Sequence, residues 1–175
     1  HIEDVCKDLN YSTADINIFS ETRFSLSDHD SIYAIQNYFL FRNDVTMTAI
    51  NIRPYGGMTV YSHIEYYSGY PYSCNSNGIE ITVVRLITVP HIHIFGIYRS
   101  PRVPVTQMCH ALSELLMSQS SQFNVFMGDF NVNLLNNRDK MCLYNLFTRD
   151  HGYEELVSCY TTDNRTCLDH IYTNI

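Results

Sequence analysis

The chain of 175 residues has no tryptophan, no internal repeat and no low-complexity tract, and only 17% of its residues are charged. It has no apolar run near the roughly 20 residues that a membrane-spanning helix requires. Its N-terminus lacks the cationic segment and apolar core of a signal peptide. These absences exclude a disordered tail and predict an ordinary soluble globule with no membrane partner.

The six cysteines lack the C-x-x-C pairing of metal and redox motifs and stand far apart, at Cys6, Cys74, Cys109, Cys142, Cys159 and Cys167. This spacing excludes a zinc ribbon and a small disulfide scaffold. Reduced, mostly buried thiols are the resulting prediction, and they favour an intracellular compartment.

Apolar residues make up 45% of the chain, with fourteen tyrosines and nine phenylalanines. Together with many Ile, Val and Thr residues, this composition favours strands. The length predicts one domain over residues 1–175. The net charge of −7 counts against a nucleic-acid surface, which normally has a basic patch. A divalent cation over some of the acids, or basic segments outside the chain, would reduce this conflict.

Apolar segments bounded by turn residues predict seven strands, at 15–21, 38–41, 58–61, 79–87, 91–98, 124–128 and 168–173. Helical spacing of apolar residues predicts three helices, at about 2–9, 105–116 and 138–150. Pro104 suits the first turn of the second helix, and Gly152 suits the cap of the third. Strands outnumber helices and the helices fall between strands. The predicted fold class is α+β, a two-layered mixed β-sheet sandwich flanked by helices.

The segment 124–131 contains the most informative pattern, because an apolar run ends in Gly128 and is followed by Asp129 and Asn131. Alternation along an extended backbone places these two side chains on the same side. A carboxylate can accept a proton or hold a metal, and a carboxamide can donate to a phosphate oxygen. The simpler interpretation is a strand followed by an Asp/Asn turn.

Other polar residues also follow apolar strands, where catalytic groups of sheet proteins often gather. Glu21 could bind Mg²⁺ through oxygen, or it could be an exposed strand end. Tyr98 and Arg99 place a phenol beside a guanidinium, and both can hydrogen-bond to phosphate. The alternative for Tyr98 is a core aromatic. Asp169 begins the last predicted strand.

In order and spacing, these elements resemble the endonuclease/exonuclease/phosphatase superfamily. They are most similar to the apurinic-type endonuclease domain of non-LTR retrotransposons and some Helitron-like elements. The resemblance covers nearly the whole chain and implies a DNase I-like fold. The motifs that carry it are Ser20-Glu21-Thr22, Gly57-Met58-Thr59-Val60-Tyr61, Ile97-Tyr98-Arg99-Ser100-Pro101, Gly128-Asp129-Phe130-Asn131 and Leu168-Asp169-His170-Ile171-Tyr172.

The resemblance implies a role for each matching residue. Glu21 would bind the metal, Mg²⁺ or Mn²⁺. Asp129 would orient or deprotonate the attacking water, and Asn131 would hold the scissile phosphate. Tyr98 would contact the phosphate or stabilise its charge.

The resemblance also implies roles around the substrate. Asp169 would orient a catalytic histidine, and Arg99 would contact the substrate. Either Thr161 or Thr162 stands where the superfamily commonly has a threonine that contacts DNA, and the sequence does not choose between them.

The chain departs from the superfamily pattern at both ends. We expect that it is an excerpt, truncated at both ends, that lacks the first strand with its asparagine and the terminal Ser-Asp-His segment. His170 does not replace that histidine, because neighbours on a strand point to opposite faces and Asp169 faces the rim. Without the imidazole, residues 1–175 alone are expected to be a poor or inactive nuclease.

The favoured function is metal-dependent hydrolysis of DNA phosphodiester bonds, nicking target DNA for a mobile element. The expected setting is intracellular and nuclear, within a larger polypeptide that carries a reverse transcriptase or a helicase. One alternative is a catalytically degenerate relic of the same domain. Another is a phosphatase of the same superfamily that acts on a lipid or inositol head group. The flanking reading frame would separate the relic from the nuclease.

Overall fold

The computed structural model describes residues 4–5, 7, 14–25, 27–44, 56–64, 66–67, 78–87, 90–118, 123–135 and 137–175. Of the predicted opening helix, Asp4, Val5 and Lys7 are described and are helical. The apolar residues Ile2, Cys6 and Leu9 lie outside the described residues. No described helix is long and apolar enough to cross a membrane.

The first sheet has three strands in the order β1-β3-β2, and both pairings are antiparallel. The strands are β1 (Ile16–Ser20), β2 (Phe39–Asn43) and β3 (Met58–Ser62), with a short 3₁₀ turn at Asp30–Ile32 between β1 and β2. Val60 of the central strand pairs with Ile18 on one side and Phe41 on the other. All three predicted strands in this part of the chain are therefore present.

The second sheet has six strands in the order β4-β5-β6-β7-β9-β8. They are β4 (Tyr66–Tyr67), β5 (Ile79–Leu86), β6 (Ile92–Arg99), β7 (Phe123–Asp129), β8 (Glu154–Glu155) and β9 (Asp169–Thr173). β6 and β7 are parallel and the other pairs are antiparallel, so the sheet is mixed as predicted. The sequence did not predict β4 or β8, each of which is only two residues long.

Two α-helices lie among the described residues of the second half, α1 (Val105–Ser118) and α2 (Asn137–Leu143). α1 connects the parallel strands β6 and β7, the usual role of a helix between parallel neighbours. The chain continues from α2 into a π-helical turn, Tyr144–Arg149. Gly152 ends this segment with φ +73° and donates its N–H to Thr148 O at 3.0 Å. The predicted helix 138–150 is thus confirmed, with its second half π-helical.

The apolar side chains form two clusters on opposite faces of the second sheet. The larger cluster packs Phe95, Ile97 and Phe126 against the helices, including Met108 and Leu112 of α1. The smaller cluster lies between the sheets and is formed by Val60, Val84, Leu86 and Ile94. The two-layered sandwich flanked by helices is therefore confirmed.

Gly96 allows the two sheets to approach at the centre of β6. A Cβ at this position would lie 2.9 Å from Met58 Cε and 3.3 Å from Ile18 Cγ2. Alternation along β6 then turns Ile94, Gly96 and Tyr98 toward the first sheet. The phenol of Tyr98 therefore lies at one end of the space between the sheets.

The four described cysteines are free thiols, as predicted. Their burial was predicted only in part. Cys167 is buried and Cys109 and Cys142 are half-buried, but Cys159 is exposed in the loop before β9. Cys6 and Cys74 lie outside the described residues.

Candidate active site

A row of polar residues crosses four adjacent strands of the second sheet. Glu80 of β5 pairs with Tyr98 of β6, Tyr98 pairs with Asp129 of β7, and Asp129 pairs with Asp169 of β9. Directly paired residues share a face of the sheet, with Cβ atoms about 5 Å apart. Strand register therefore brings together residues up to 89 positions apart in the chain, at one end of the sandwich.

Glu21 reaches this row from the first sheet, because it directly follows β1. The Tyr98 hydroxyl donates a hydrogen bond to Glu21 Oε1. On the other side, the Arg23 guanidinium lies 3.8 Å from Glu21 Oε2. Burial and this contact with Glu21 raise the pKa of Tyr98, so the phenol stays protonated at neutral pH. The structure thus joins two of the predicted site residues, one from each sheet.

Asp129 and Asn131 meet through a tight turn. The Asn131 backbone N–H donates to Asp129 Oδ1 at 2.8 Å, and the Asn131 amide donates to Asp129 Oδ2 at 3.1 Å. Asn131 has φ +49°, a left-handed conformation that asparagine tolerates better than most residues. The side chains lie together as predicted, but the prediction of extended alternation was wrong, since the chain leaves the strand at Asp129. The two interpretations of the sequence therefore describe the same arrangement, because the Asp/Asn turn is what brings the Asp129 and Asn131 side chains together.

Asp129 is a partly buried carboxylate whose pKa is raised by its surroundings. Burial raises its pKa to about 6, and the negative charges of Asp169 and Glu21 act in the same direction. The Asn131 N–H and the Arg99 charge oppose this rise. A carboxylate with a pKa near the working pH is well suited to accept a proton from water.

Arg99 is a buried residue that contacts the loop after β7. It is only 5% exposed, and its Nε donates to Phe130 O at 2.7 Å. The guanidinium also donates to the carbonyls of Val103 and Asn131. Because Arg99 follows Tyr98 on the strand, it points to the opposite face. These bonds tie Arg99 to the loop that carries Asn131, and contact of Arg99 with substrate stays a prediction.

The predicted threonines order the loop before β9. Thr161 Oγ1 accepts hydrogen bonds from the backbone N–H groups of Leu168 at 2.9 Å and Asp169 at 3.1 Å. The Thr162 hydroxyl lies 2.6 Å from that of Thr166. Thr161 therefore supports the start of the strand on which Asp169 is exposed. Contact of either threonine with DNA stays a prediction.

His170 lies in the core and does not share the rim with Asp169, as alternation predicted. It is fully buried, and its Nε2 lies 2.8 Å from Val132 O. Its ring stacks on Phe130 with centroids 4.9 Å apart. Burial lowers the pKa of His170, which favours a neutral imidazole.

Glu80 is the member of the row that the sequence analysis missed. It is 6% exposed, and burial raises its pKa. In the sequence, Glu80 is a single acid between Ile79 and Ile81, and strand alternation predicts that it lies on the face of β5 opposite these two apolar side chains. Nothing in the local pattern distinguishes such an acid from one on a solvated face, however.

The carboxylates of the site fit a hard divalent cation such as Mg²⁺ or Mn²⁺, although the part of the chain that the structure describes holds no group of three or more His, Cys, Asp or Glu residues in a metal-binding arrangement. Asp129 is subject to repulsion from Glu21 and Asp169 that a cation would relieve. Mg²⁺ commonly takes only one or two protein carboxylates and fills its shell with water and phosphate oxygens. Glu21, with a side chain 46% exposed, is accessible for such a role.

Several solved structures share this architecture. The endonuclease domain of TRAS1, a telomere-specific non-LTR retrotransposon, superposes with a TM-score of 0.67 at 14% identity, over 97% of this chain and 76% of that one. An AP endonuclease from Archaeoglobus fulgidus gives a TM-score of 0.64 at 14% identity, over 98% and 80%. The 3′ phosphatase NExo from Neisseria, bound to a product DNA hairpin, gives 0.65 at 12%, over 98% and 80%.

These structural neighbours are members of the endonuclease/exonuclease/phosphatase superfamily. No protein-family model and no curated protein sequence matches the chain. Because the identities are low, the likeness shows the fold alone. The chain therefore has the DNase I-like fold of that superfamily, as its motifs predicted.

Proposed function

We propose that this protein is a phosphodiesterase that uses a divalent cation to hydrolyse DNA, in the service of a mobile element. The observation that carries the proposal is the convergence of Asp129, Asn131, Tyr98 and Asp169 on one rim with Glu21 from the other sheet. This set is suited to hydrolysis at phosphorus, because it combines a carboxylate that can accept a proton, a carboxamide and a phenol that can donate to phosphate, and a second carboxylate that can bind metal.

Asp129 orients the attacking water and accepts its proton. Burial raises the pKa of this carboxylate and so makes it a better proton acceptor than an exposed aspartate, while a bound cation would lower that pKa and keep the group ionised at neutral pH. The Asn131 backbone N–H fixes Oδ1, so the direction from which the carboxylate meets water is set by the turn. Asp169, the neighbour of Asp129 in the row, would orient a catalytic imidazole.

Asn131 and Tyr98 hold the phosphate. The Asn131 amide donates to Arg99 O at 2.7 Å and to Asp129 Oδ2 at 3.1 Å, so both of its protons are engaged. To bind a phosphate oxygen, the amide gives up its longer hydrogen bond, to Asp129 Oδ2, and donates that proton to the phosphate. The shorter bond to Arg99 O holds the amide in place. The protonated Tyr98 hydroxyl can move its hydrogen bond from Glu21 to a phosphate oxygen in the same way.

Glu21 would hold the cation, with Mg²⁺ or Mn²⁺ as the candidates. A bound divalent cation would polarise the phosphoryl group and stabilise charge on the leaving oxygen. Its positive charge would also answer the objection raised by the net charge of −7, at least at the site. Binding along the DNA backbone would rely on basic segments elsewhere in a larger polypeptide.

The proposed biological role is nicking of target DNA in the nucleus, with a reverse transcriptase or a helicase in the same polypeptide. Its support is the motif resemblance together with the structural likeness to the TRAS1 endonuclease domain. The likeness to a 3′ phosphatase of Neisseria keeps a second candidate, removal of a phosphate from a DNA end. The two differ in substrate, so one assay with supercoiled plasmid and a 3′-phosphorylated hairpin separates them.

The test is nicking of supercoiled plasmid by a longer reading frame that contains residues 1–175, because those residues alone are expected to be a poor or inactive nuclease and serve as the comparison. Asp129→Ala and Asn131→Ala should each lower kcat by about 100-fold or more, because both groups act mainly on the transition state. Glu154→Ala, which removes an exposed carboxylate outside the row, is the control and should be unaffected. Undiminished nicking by Asp129→Ala would remove that residue from the mechanism, and nicking in excess chelator would remove the metal.

A further inference from the structure

Glu80 has no role in the mechanism proposed above, although it is a buried acid within the same row of residues. Burying a carboxylate is costly unless it is hydrogen-bonded. It pairs with Tyr98 on the neighbouring strand, and the hydroxyl of Tyr98 contacts Glu21. A buried acid at this place calls for a physical explanation.

The Glu80 carboxylate lies against the turn that precedes β3. Its Oε2 accepts the Gly57 N–H at 2.9 Å. At Gly56, an added Cβ would lie 1.9 Å from Glu80 Oε1, so only a glycine leaves room for the carboxylate. Both glycines have positive φ, at +92° and +87°. Glu80 and this glycine turn are therefore fitted to each other.

The same turn holds the segment that follows Glu21. Thr22 N–H donates to Gly57 O at 3.1 Å, and Arg23 N–H donates to Gly56 O at 2.9 Å. Glu21 and Arg23 both adopt left-handed conformations, with φ +54° and +56°. Such conformations are unfavourable for residues other than glycine and persist only where the surroundings hold them.

A continuous path of hydrogen bonds thus runs from Glu80 through the glycine turn to the backbone on the C-terminal side of Glu21. We propose that Glu80 is a positioning residue that fixes the Glu21 carboxylate at the rim, because it accepts the hydrogen bond from Gly57 N–H and thereby anchors the turn formed by Gly56 and Gly57. This inference rests on the proposed metal-binding function of Glu21. According to this proposal, Glu80 acts because its side chain is long enough to accept a hydrogen bond from Gly57 N–H, and its negative charge is not required.

Two conservative variants separate reach from charge. Glu80→Gln keeps an acceptor oxygen at the same distance and loses the charge. Glu80→Asp keeps the charge but is one methylene too short to reach Gly57. Glu155→Asp is the matched control, since it removes the same methylene from another partly buried carboxylate, on β8 at the other side of the sheet.

The first measurement is hydrogen–deuterium exchange of the Thr22 and Arg23 amides in residues 1–175, which does not depend on metal. Glu80→Asp should increase their exchange by about tenfold or more, the effect of losing one well-placed hydrogen bond. Glu80→Gln and Glu155→Asp should leave it within about threefold of the wild type. Unchanged exchange in Glu80→Asp, or equal increases in Glu80→Asp and Glu80→Gln, would overturn the proposal.

The second measurement is Mn²⁺ affinity by isothermal titration calorimetry. Glu80→Asp should weaken binding by about tenfold, and adding it to Glu21→Gln should cause no further loss, because both changes act through one carboxylate. Additive losses would overturn the proposal, since Glu80 would then act independently. Normal Mn²⁺ binding by Glu21→Gln alone would instead overturn the proposed metal role of Glu21, and this result is recognisable because it involves no change at Glu80.

Discussion

Replacement of Arg99 by methionine tests whether this residue holds the loop of the site or contacts substrate. The guanidinium is buried and donates to the carbonyls of Phe130, Val103 and Asn131. Methionine fills similar space but supplies no donor. Because the Asn131 amide donates in return to Arg99 O, the loop would also lose one side of a reciprocal contact.

The magnitude follows from two opposing effects. A buried carbonyl left without its donor costs about 1–3 kcal/mol, and Arg99 serves at least two such groups, Phe130 O and Val103 O. Removing a buried charge returns part of this cost, since burial of the guanidinium is itself unfavourable. The expected net loss is about 2–4 kcal/mol in the free energy of unfolding.

Urea denaturation of Arg99→Met, Arg99→Lys and the wild type provides the measurement. Lysine keeps the charge but lacks the planar fork that serves several carbonyls, so it should lose about half as much stability as methionine. Arg85→Met removes an exposed arginine from β5 and is the control, with an expected change within about 0.5 kcal/mol. A stable Arg99→Met variant that binds DNA more weakly would refute the loop-holding role and support contact of Arg99 with substrate.

Three further substitutions test the packing and the electrostatics of the second half of the chain. Gly128→Ala should cost about 3 kcal/mol or more in urea denaturation, because its Cβ would lie 2.1 Å from Ile97 O at φ +139°. Gly152→Ala, where a Cβ meets no atom within 4 Å, should cost only about 1 kcal/mol, and equal costs would contradict the close approach of β6 and β7. Burial raises the pKa of Glu155 to about 7 from an ordinary value of 4.5. Between these two pH values the folded state therefore binds more protons than the unfolded state, so the free energy of unfolding falls as the pH rises. Glu155→Gln should remove about 2 kcal/mol of this fall between pH 5 and pH 8, after allowance for partial exposure, and an unchanged pH dependence of unfolding would contradict it.

Local patterns in the sequence predicted most of the elements. The α1 helix followed from its apolar stripe, and β5 and β6 followed from apolar runs separated by a break, because both depend on the periodicity of neighbouring residues. The two-residue strands β4 and β8 could not be predicted in this way. Such short strands have no periodicity of their own, and they exist only because a longer strand offers hydrogen-bonding groups at its edge.

The sequence also placed Glu21, Tyr98, Asp129 and Asp169 at strand ends, since each borders an apolar run. It could not show that register aligns three of them in one row, because register is set by pairing between segments far apart in the chain.

Only the tertiary structure decided what Arg99 and Glu80 contact. Tyr98 and Arg99 are adjacent polar residues on β6, and the sequence does not distinguish their surroundings. In the structure, Tyr98 faces the first sheet and contacts Glu21, whereas Arg99 lies on the opposite face and donates to loop carbonyls. Glu80 gained its place from the glycine turn before β3, which contacts it across 23 residues of sequence. Local periodicity determines which side chains share a face, whereas only the packing of the two sheets determines what that face meets.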